Sequence, residues 1–287
     1  MVALIVAVVL GAVGRHTGRF AQRSIDMRSA FVAPPALPFS IAIVGILTVG
    51  VGACSSPPVP PEAGLDLIVY NKNEPGKPNL LLFIHGWRGD ATQTWKQFPA
   101  LAATDSALAQ YNVWSVDYPT FMFKRNLRVG ALASPLNRAL EKADAFKYQR
   151  VVIIAHSMGG LISRQIVIIR RLNGQDAKVA KLIEVATPHL GGKPALIART
   201  LGVSDELADD MVAGSGFLST LTANWNALSP RPATFCVGSP QDAVVSQASA
   251  TYQCDRLDYY TSGGHTDIVK PSDRTEAYYY VPIEEVP

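Results

Sequence analysis

From residue 64 onward, apolar positions fall into short runs separated by segments of helical spacing. Val151–Ala155 is a continuous apolar run, the pattern of a central strand covered on both faces, and Asn79–Ile84 reads as a strand. Leu65–Tyr70, Val113–Val116, Val179–Val185, Ala233–Val237 and Arg256–Thr261 also read as strands. Between them, Gln93–Ala103, Leu127–Phe146 and Gly160–Leu172 have the spacing of helices. This alternation predicts an α/β fold, a mainly parallel sheet with helices on both faces. One interval breaks the rhythm. Between Thr187 and Pro232 helical pieces are expected at Pro194–Leu201, Asp205–Val212 and Phe217–Leu228. The interval is too long for a connection and too apolar for a disordered one. We read it as a helical cap insertion, about residues 188–232; an extra structural helix pair is the competing reading.

The N-terminal residues follow a different pattern. Residues 36–53 form an uncharged apolar stretch preceded by Arg28, the layout of an export signal. It ends Val51-Gly52-Ala53-Cys54, which resembles the lipobox of bacterial lipoproteins. That resemblance makes residues 1–53 a leader and Cys54 the lipid-bearing first mature residue. Residues 54–63 then form a Pro-rich tether that cannot pack as helix or central strand. A plain transmembrane anchor is the alternative. A second apolar run at Met1–Gly14 is too short to span comfortably. We therefore expect Met27 to be the true start and residues 1–26 to be an artefact; two membrane segments would be the other explanation. Localisation in a bacterial cell envelope, on a lipid anchor and facing the periplasm or exterior, follows from the lipobox reading.

Charge adds one exclusion. The chain of 287 residues carries 26 Lys+Arg against 23 Asp+Glu. The excess lies in the leader, at Arg15, Arg19, Arg23 and Arg28, and the two signs cancel from residue 54 onward. A nucleic-acid partner would need a basic face, and none is expected.

The chemistry centres on Ala155-His156-Ser157-Met158-Gly159-Gly160. It follows an apolar strand and opens an apolar helix. A serine at such a turn is pushed outward by a strained backbone. The strand and helix crowd each other two residues either side, where Ala155 and Gly159 are small. The helix N-terminus adds its positive dipole end.

With that motif the chain resembles the α/β-hydrolase fold serine esterases and lipases. It is most similar to bacterial lipases with Ala at the first elbow position and to the group related to GPI inositol-deacylases. The resemblance covers about Asn79 to Lys270 and implies the α/β-hydrolase fold, with the insertion after the strand that the family counts as its sixth. It also implies a role for Leu82-Phe83-Ile84-His85-Gly86-Trp87: the backbone N–H groups of Trp87 and Met158 would form the oxyanion hole. His85 and Gly86 would support that turn, with His85 as a brace.

A serine needs a base. His16 is in the leader, His85 precedes the oxyanion turn, and the side chain of His156 should point away from the Ser157 hydroxyl. His265, in a Gly-rich loop after the last strand, is the expected base; His189 is the rival. Asp242 follows the strand Ala233–Val237, and the order Ser157, Asp242, His265 is that of the fold. Asp117 is the rival acid. Cys236 and Cys254 flank Asp242 and are expected to pair in an oxidising compartment. The bridge would close a loop of about 19 residues, worth about 3 kcal/mol in the chain-entropy model. No metal set, phosphate loop or cofactor is expected. The expected protein is a monomeric carboxylic-ester hydrolase, its substrate a hydrophobic ester, with acyl transfer or a non-catalytic envelope role as alternatives.

Overall fold

The computed structural model describes residues 66–70, 74–120, 128–175, 178–193 and 205–287. The leader, Cys54, the tether and the helix expected at Pro194–Leu201 lie outside them.

The strands are β1 (Asp66–Val69), β2 (Asn79–Ile84), β3 (Tyr111–Asp117), β4 (Arg150–His156), β5 (Val179–Val185), β6 (Ala233–Gly238) and β7 (Arg256–Tyr259). They form one sheet in the order β1-β3-β2-β4-β5-β6-β7. β2 to β7 run parallel, and β1 alone is antiparallel, paired with β3. The helices are α1 (Phe98–Ala103), α2 (Val129–Lys142), α3 (Met158–Leu172), α4 (Asp205–Asp210), α5 (Gly216–Ala227), α6 (Gln247–Ala250) and α7 (Ala277–Ile283). This is an α/β-hydrolase architecture. The insertion expected after a sixth strand follows β5, the fifth strand in chain order, and precedes β6.

Strand alternation divides the core in two. Leu80, Leu82, Ile84, Val151 and Ile153 face a layer that holds Leu136 of α2, Ile162 and Ile166 of α3, and Trp225 of α5. Leu81, Phe83, Val152 and Ile154 face the other layer, with Phe98 of α1 and Tyr279 of α7. All of these strand residues are fully buried. That is why β4 reads as an unbroken apolar run instead of an alternating one. Each such side chain contributes about 1.5–3 kcal/mol by leaving water.

Besides α4, which ends at Asp210 and not at Val212, two helices are shorter than their spacing predicts. The segment expected as Gln93–Ala103 is helical only from Phe98. Before it, Asp90 Oδ1 accepts hydrogen bonds from the N–H groups of Thr92 and Gln93. Lys96 then takes φ 52°, and Pro99 opens α1. The helix expected at Leu127–Phe146 stops at Lys142, and Asp144 has φ 65°. The insertion supplies α4 and α5. Leu218, Leu221 and Trp225 of α5 are buried in the same core layer as α3, so this part of the insertion is anchored in the core. α6 and α7 have no counterpart among the expected elements. Tyr-rich α7, with Pro282 inside it, packs Tyr279 on Phe98 at 5.5 Å between ring centroids.

Candidate active site

In a parallel sheet, the loops at the carboxyl ends of the strands gather at one edge, and ligands bind there. Loops after β2, β4, β6 and β7 bring His85–Trp87, Ser157, Asp242 and His265 to that edge.

Ser157 sits between β4 and α3 with φ 54° and ψ −127°, a conformation that non-glycine residues rarely adopt. Its N–H donates to the Val185 carbonyl at 2.9 Å. The packing that holds this turn leaves no room for larger neighbours. A Cβ on Gly159 would lie 2.4 Å from the Ile84 carbonyl oxygen and 2.5 Å from that of His85. A Cβ on Gly86 would lie 2.8 Å from Ser157 Cβ and 3.4 Å from Met158 N. Glycine at 86 therefore keeps the space before the Met158 N–H clear. Ala155 is fully buried at the strand end.

Ser157 Oγ lies 3.0 Å from His265 Nε2, and His265 Nδ1 lies 2.7 Å from Asp242 Oδ2. A carboxylate can only accept, so it places the imidazole proton on Nδ1 and leaves Nε2 to accept from the serine hydroxyl. Asp242 Oδ1 accepts from the N–H groups of Val244 and Val245 at 2.8 and 2.9 Å, which fixes the carboxylate plane. Ser239 Oγ donates to the Gly263 carbonyl at 2.7 Å, joining the Asp242 loop to the His265 loop. The Cys236–Cys254 disulfide ties β6 to the chain two residues before the start of β7, with Cα atoms 6.0 Å apart. All three side chains of the Ser-His-Asp set are buried or nearly so.

The other histidines have different settings. His85 is buried and stacks on Tyr118 at 4.2 Å, and the Tyr118 hydroxyl donates to the His85 carbonyl. Burial pushes the His85 imidazole below its ordinary range. Asp117, the rival acid, is half exposed and lies 3.5 Å from His85 Nε2. His156 turns away from the serine hydroxyl and donates from Nε2 to the His265 carbonyl at 2.8 Å. Burial, with the His265 charge second, lowers His156 to about 3, so it stays neutral and keeps that donor. Nothing in the sequence marks His156 for this bond, because its partner lies 109 positions away.

His189, the rival base, belongs to a separate buried cluster. Arg164 of α3 holds Glu184 of β5 through Nε at 3.0 Å and Nη2 at 2.7 Å. His189 Nε2 lies 3.4 Å from the same carboxylate. The Trp225 ring covers the Arg164 guanidinium at 5.0 Å. Burial alone would raise Glu184, but Arg164 and His189 outweigh it and hold the carboxyl at about 2. Donor atoms of Glu184, His189, Cys236 and Cys254 lie within 4.8 Å of one another. The disulfide and the Arg164 ion pair already occupy them, so the cluster is a brace and not an open metal site.

A model of the alpha/beta hydrolase family matches residues 81–275. No curated protein matches the chain by sequence. Among solved structures, the chain is similar to the mature lipase BlEst2 of Bacillus licheniformis, with TM-score 0.58 and 15% identity over 76% of this chain and 98% of that one. It is also similar to a monoacylglycerol lipase of Paleococcus ferrophilus, with TM-score 0.51 and 11% identity over 77% and 98%. A lipase-esterase related protein from Clostridium acetobutylicum aligns with TM-score 0.50 and 14% identity over 77% and 97%. Likeness at these identities carries the fold and leaves function to the site.

Proposed function

Because the chain belongs to the alpha/beta hydrolase family, we propose that it is a serine hydrolase that cleaves a carboxylic ester through an acyl-enzyme on Ser157. One observation carries the reading: the unbroken line Ser157 Oγ–His265 Nε2 at 3.0 Å and His265 Nδ1–Asp242 Oδ2 at 2.7 Å. The lipase and esterase names among the structural neighbours agree with it.

In this mechanism Ser157 Oγ attacks the ester carbonyl while His265 Nε2 takes its proton. The carbonyl oxygen becomes an anion, received by the N–H groups of Trp87 and Met158, with the α3 N-terminus adding a positive dipole end. Asp242 balances the charge on the imidazolium. His265 returns the proton to the leaving alkoxide, the C–O bond breaks, and the alcohol departs. Water then attacks the acyl-serine with its proton passing to His265. The acid is released when that proton goes back to Ser157. An apolar acyl chain is the natural acyl part for a lipase-like site.

A fluorophosphonate probe tests the reading. The folded protein should label, and Ser157→Ala should not. Equal labelling of both proteins, or none of the wild type, would end it. Product analysis with added alcohol acceptors separates hydrolysis from acyl transfer. The tethered location belongs to the same proposal: labelling with a lipid precursor should be lost in Cys54→Ala.

A further inference from the structure

Two cavities that share Gln93 and Lys270 lie beside the oxyanion turn and the loop that follows His265, and none of Ser157, Asp242 and His265 lines either. The inner one, about 190 Å³, is lined by Gly86, Arg88, Asp90, His156, Thr266 and Lys270, among others. The outer one, about 450 Å³, also includes Gln93 and Lys270 and extends to Lys96 and Ser272. Together they form a trough beside the oxyanion turn and the His265 loop, with charged side chains set in a lining that is mostly apolar.

The charge in this trough is mostly positive. Its cations are Arg88, Lys96 and Lys270. Its acid is Asp90, and Asp90 Oδ1 is already engaged by the Thr92 N–H, the Thr92 hydroxyl and the Gln93 N–H. Lys96 is exposed and donates to Gln93 Oε1. Lys270 is different. It is half-buried between the two cavities, and among the described residues its ammonium makes no hydrogen bond or ion pair. The Thr266 hydroxyl beside it is likewise unengaged among those residues. An ammonium held partly away from water without an acceptor is a site prepared for an anion.

The position of the trough says which part of an ester it would meet. The leaving oxygen must come within reach of His265 Nε2 to take its proton. The alcohol part therefore lies toward the His265 loop, and Thr266 and Lys270 belong to that loop. We propose that Lys270, with Thr266, receives an anionic group on the alcohol part of the ester, a phosphate or carboxylate a few bonds from the scissile oxygen. This rests on the ester-hydrolase reading and adds the substrate class: an amphiphilic ester with an apolar acyl chain and an anionic leaving group.

Three butyrate esters test it: ethylene glycol monobutyrate, its phosphate monoester, and butyryl glycolate. The readout is the kcat/KM of each anionic ester relative to the neutral one. In wild type an anionic ester should be preferred, and high salt should erode the preference as the charges are screened. Lys270→Gln should lower the ratio about tenfold, mainly through KM, the scale of one charge-assisted hydrogen bond. Lys270→Glu should lower it further, and Lys270→Arg should keep most of it. Preference for the phosphate over the glycolate ester, or the reverse, identifies the anion. No preference for either anionic ester in wild type, or a ratio unmoved by Lys270→Gln and Lys270→Glu, overturns the inference while leaving the hydrolase reading intact. Failure to turn over any of the three esters, together with absent fluorophosphonate labelling, overturns both.

Discussion

Replacing Gly86 by Ala is the sharpest probe of the oxyanion turn. The added Cβ would stand 2.8 Å from Ser157 Cβ and 2.9 Å from the His156 carbonyl oxygen. Carbon atoms rest at about 3.5–4.0 Å, so the turn or the nucleophile must retreat by about 1 Å. Neither neighbour is the tip of a flexible side chain; one is the Cβ of Ser157 and the other is backbone. Oxyanion donors work at about 2.7–3.1 Å from the developing charge, so a shift of that size disables them. We expect kcat to fall about 10²–10³-fold with a small change in KM, and stability to fall by about 1–3 kcal/mol from overpacking. Gly130→Ala in α2 is the control: its Cβ would meet nothing closer than Phe217 Cε2 at 3.4 Å. As a helical Gly→Ala change it should be neutral or stabilise by up to about 1 kcal/mol. The assays are steady-state hydrolysis of a short-chain ester and urea unfolding of both variants. A folded Gly86→Ala protein with wild-type kcat would refute the placement of the oxyanion hole at this turn.

Further outcomes follow from the same geometry. Asp242→Asn should leave the fold intact and reduce kcat about 10³–10⁴-fold, because the amide no longer selects the Nδ1–H tautomer; ester hydrolysis and circular dichroism on one sample check it. Folding stability should decline as pH falls from about 6.5 to 3. His156 stays neutral in the folded protein down to about 3, while the unfolded chain takes up its proton near 6.5. His156→Gln, which keeps a donor, should flatten that decline by up to about 1.4 kcal/mol per pH unit in urea titrations; an unchanged slope would remove His156 as its source. Reduction, or the pair Cys236→Ser and Cys254→Ser, should lower unfolding free energy by about 3 kcal/mol, measured by urea unfolding.

Much of the architecture could be read along the chain because the central strands are buried on both sides. β2 coincides with its expected bounds for that reason, β4 differs by a residue at each end, and β5 keeps its expected bounds although Ala180 is exposed. Local polar bonds were less visible. An Asp90 carboxylate that ties down two backbone N–H groups is worth a turn, and it outweighs the helical spacing from Gln93 onward. α7 stayed hidden because its apolar positions are tyrosines beside Pro282, and it is stabilised by packing on Phe98. In the site, chain order singled out Ser157, Asp242 and His265, and these side chains do meet. The Arg164–Glu184–His189 cluster could not be read the same way. A glutamate inside a strand and an arginine inside an apolar helix look like exposed positions until the fold sets them face to face.

The His156–His265 bond bears on how this enzyme could be redesigned. The residue before a nucleophile is a natural choice when an elbow is grafted or its reactivity is tuned, since it does not touch the reacting atoms. Here that residue is a strut for the main chain of His265. Elbow and base loop are therefore a single exchangeable module. A library that varies position 156 alone would also shift His265, and its losses would be mistaken for damage at Ser157.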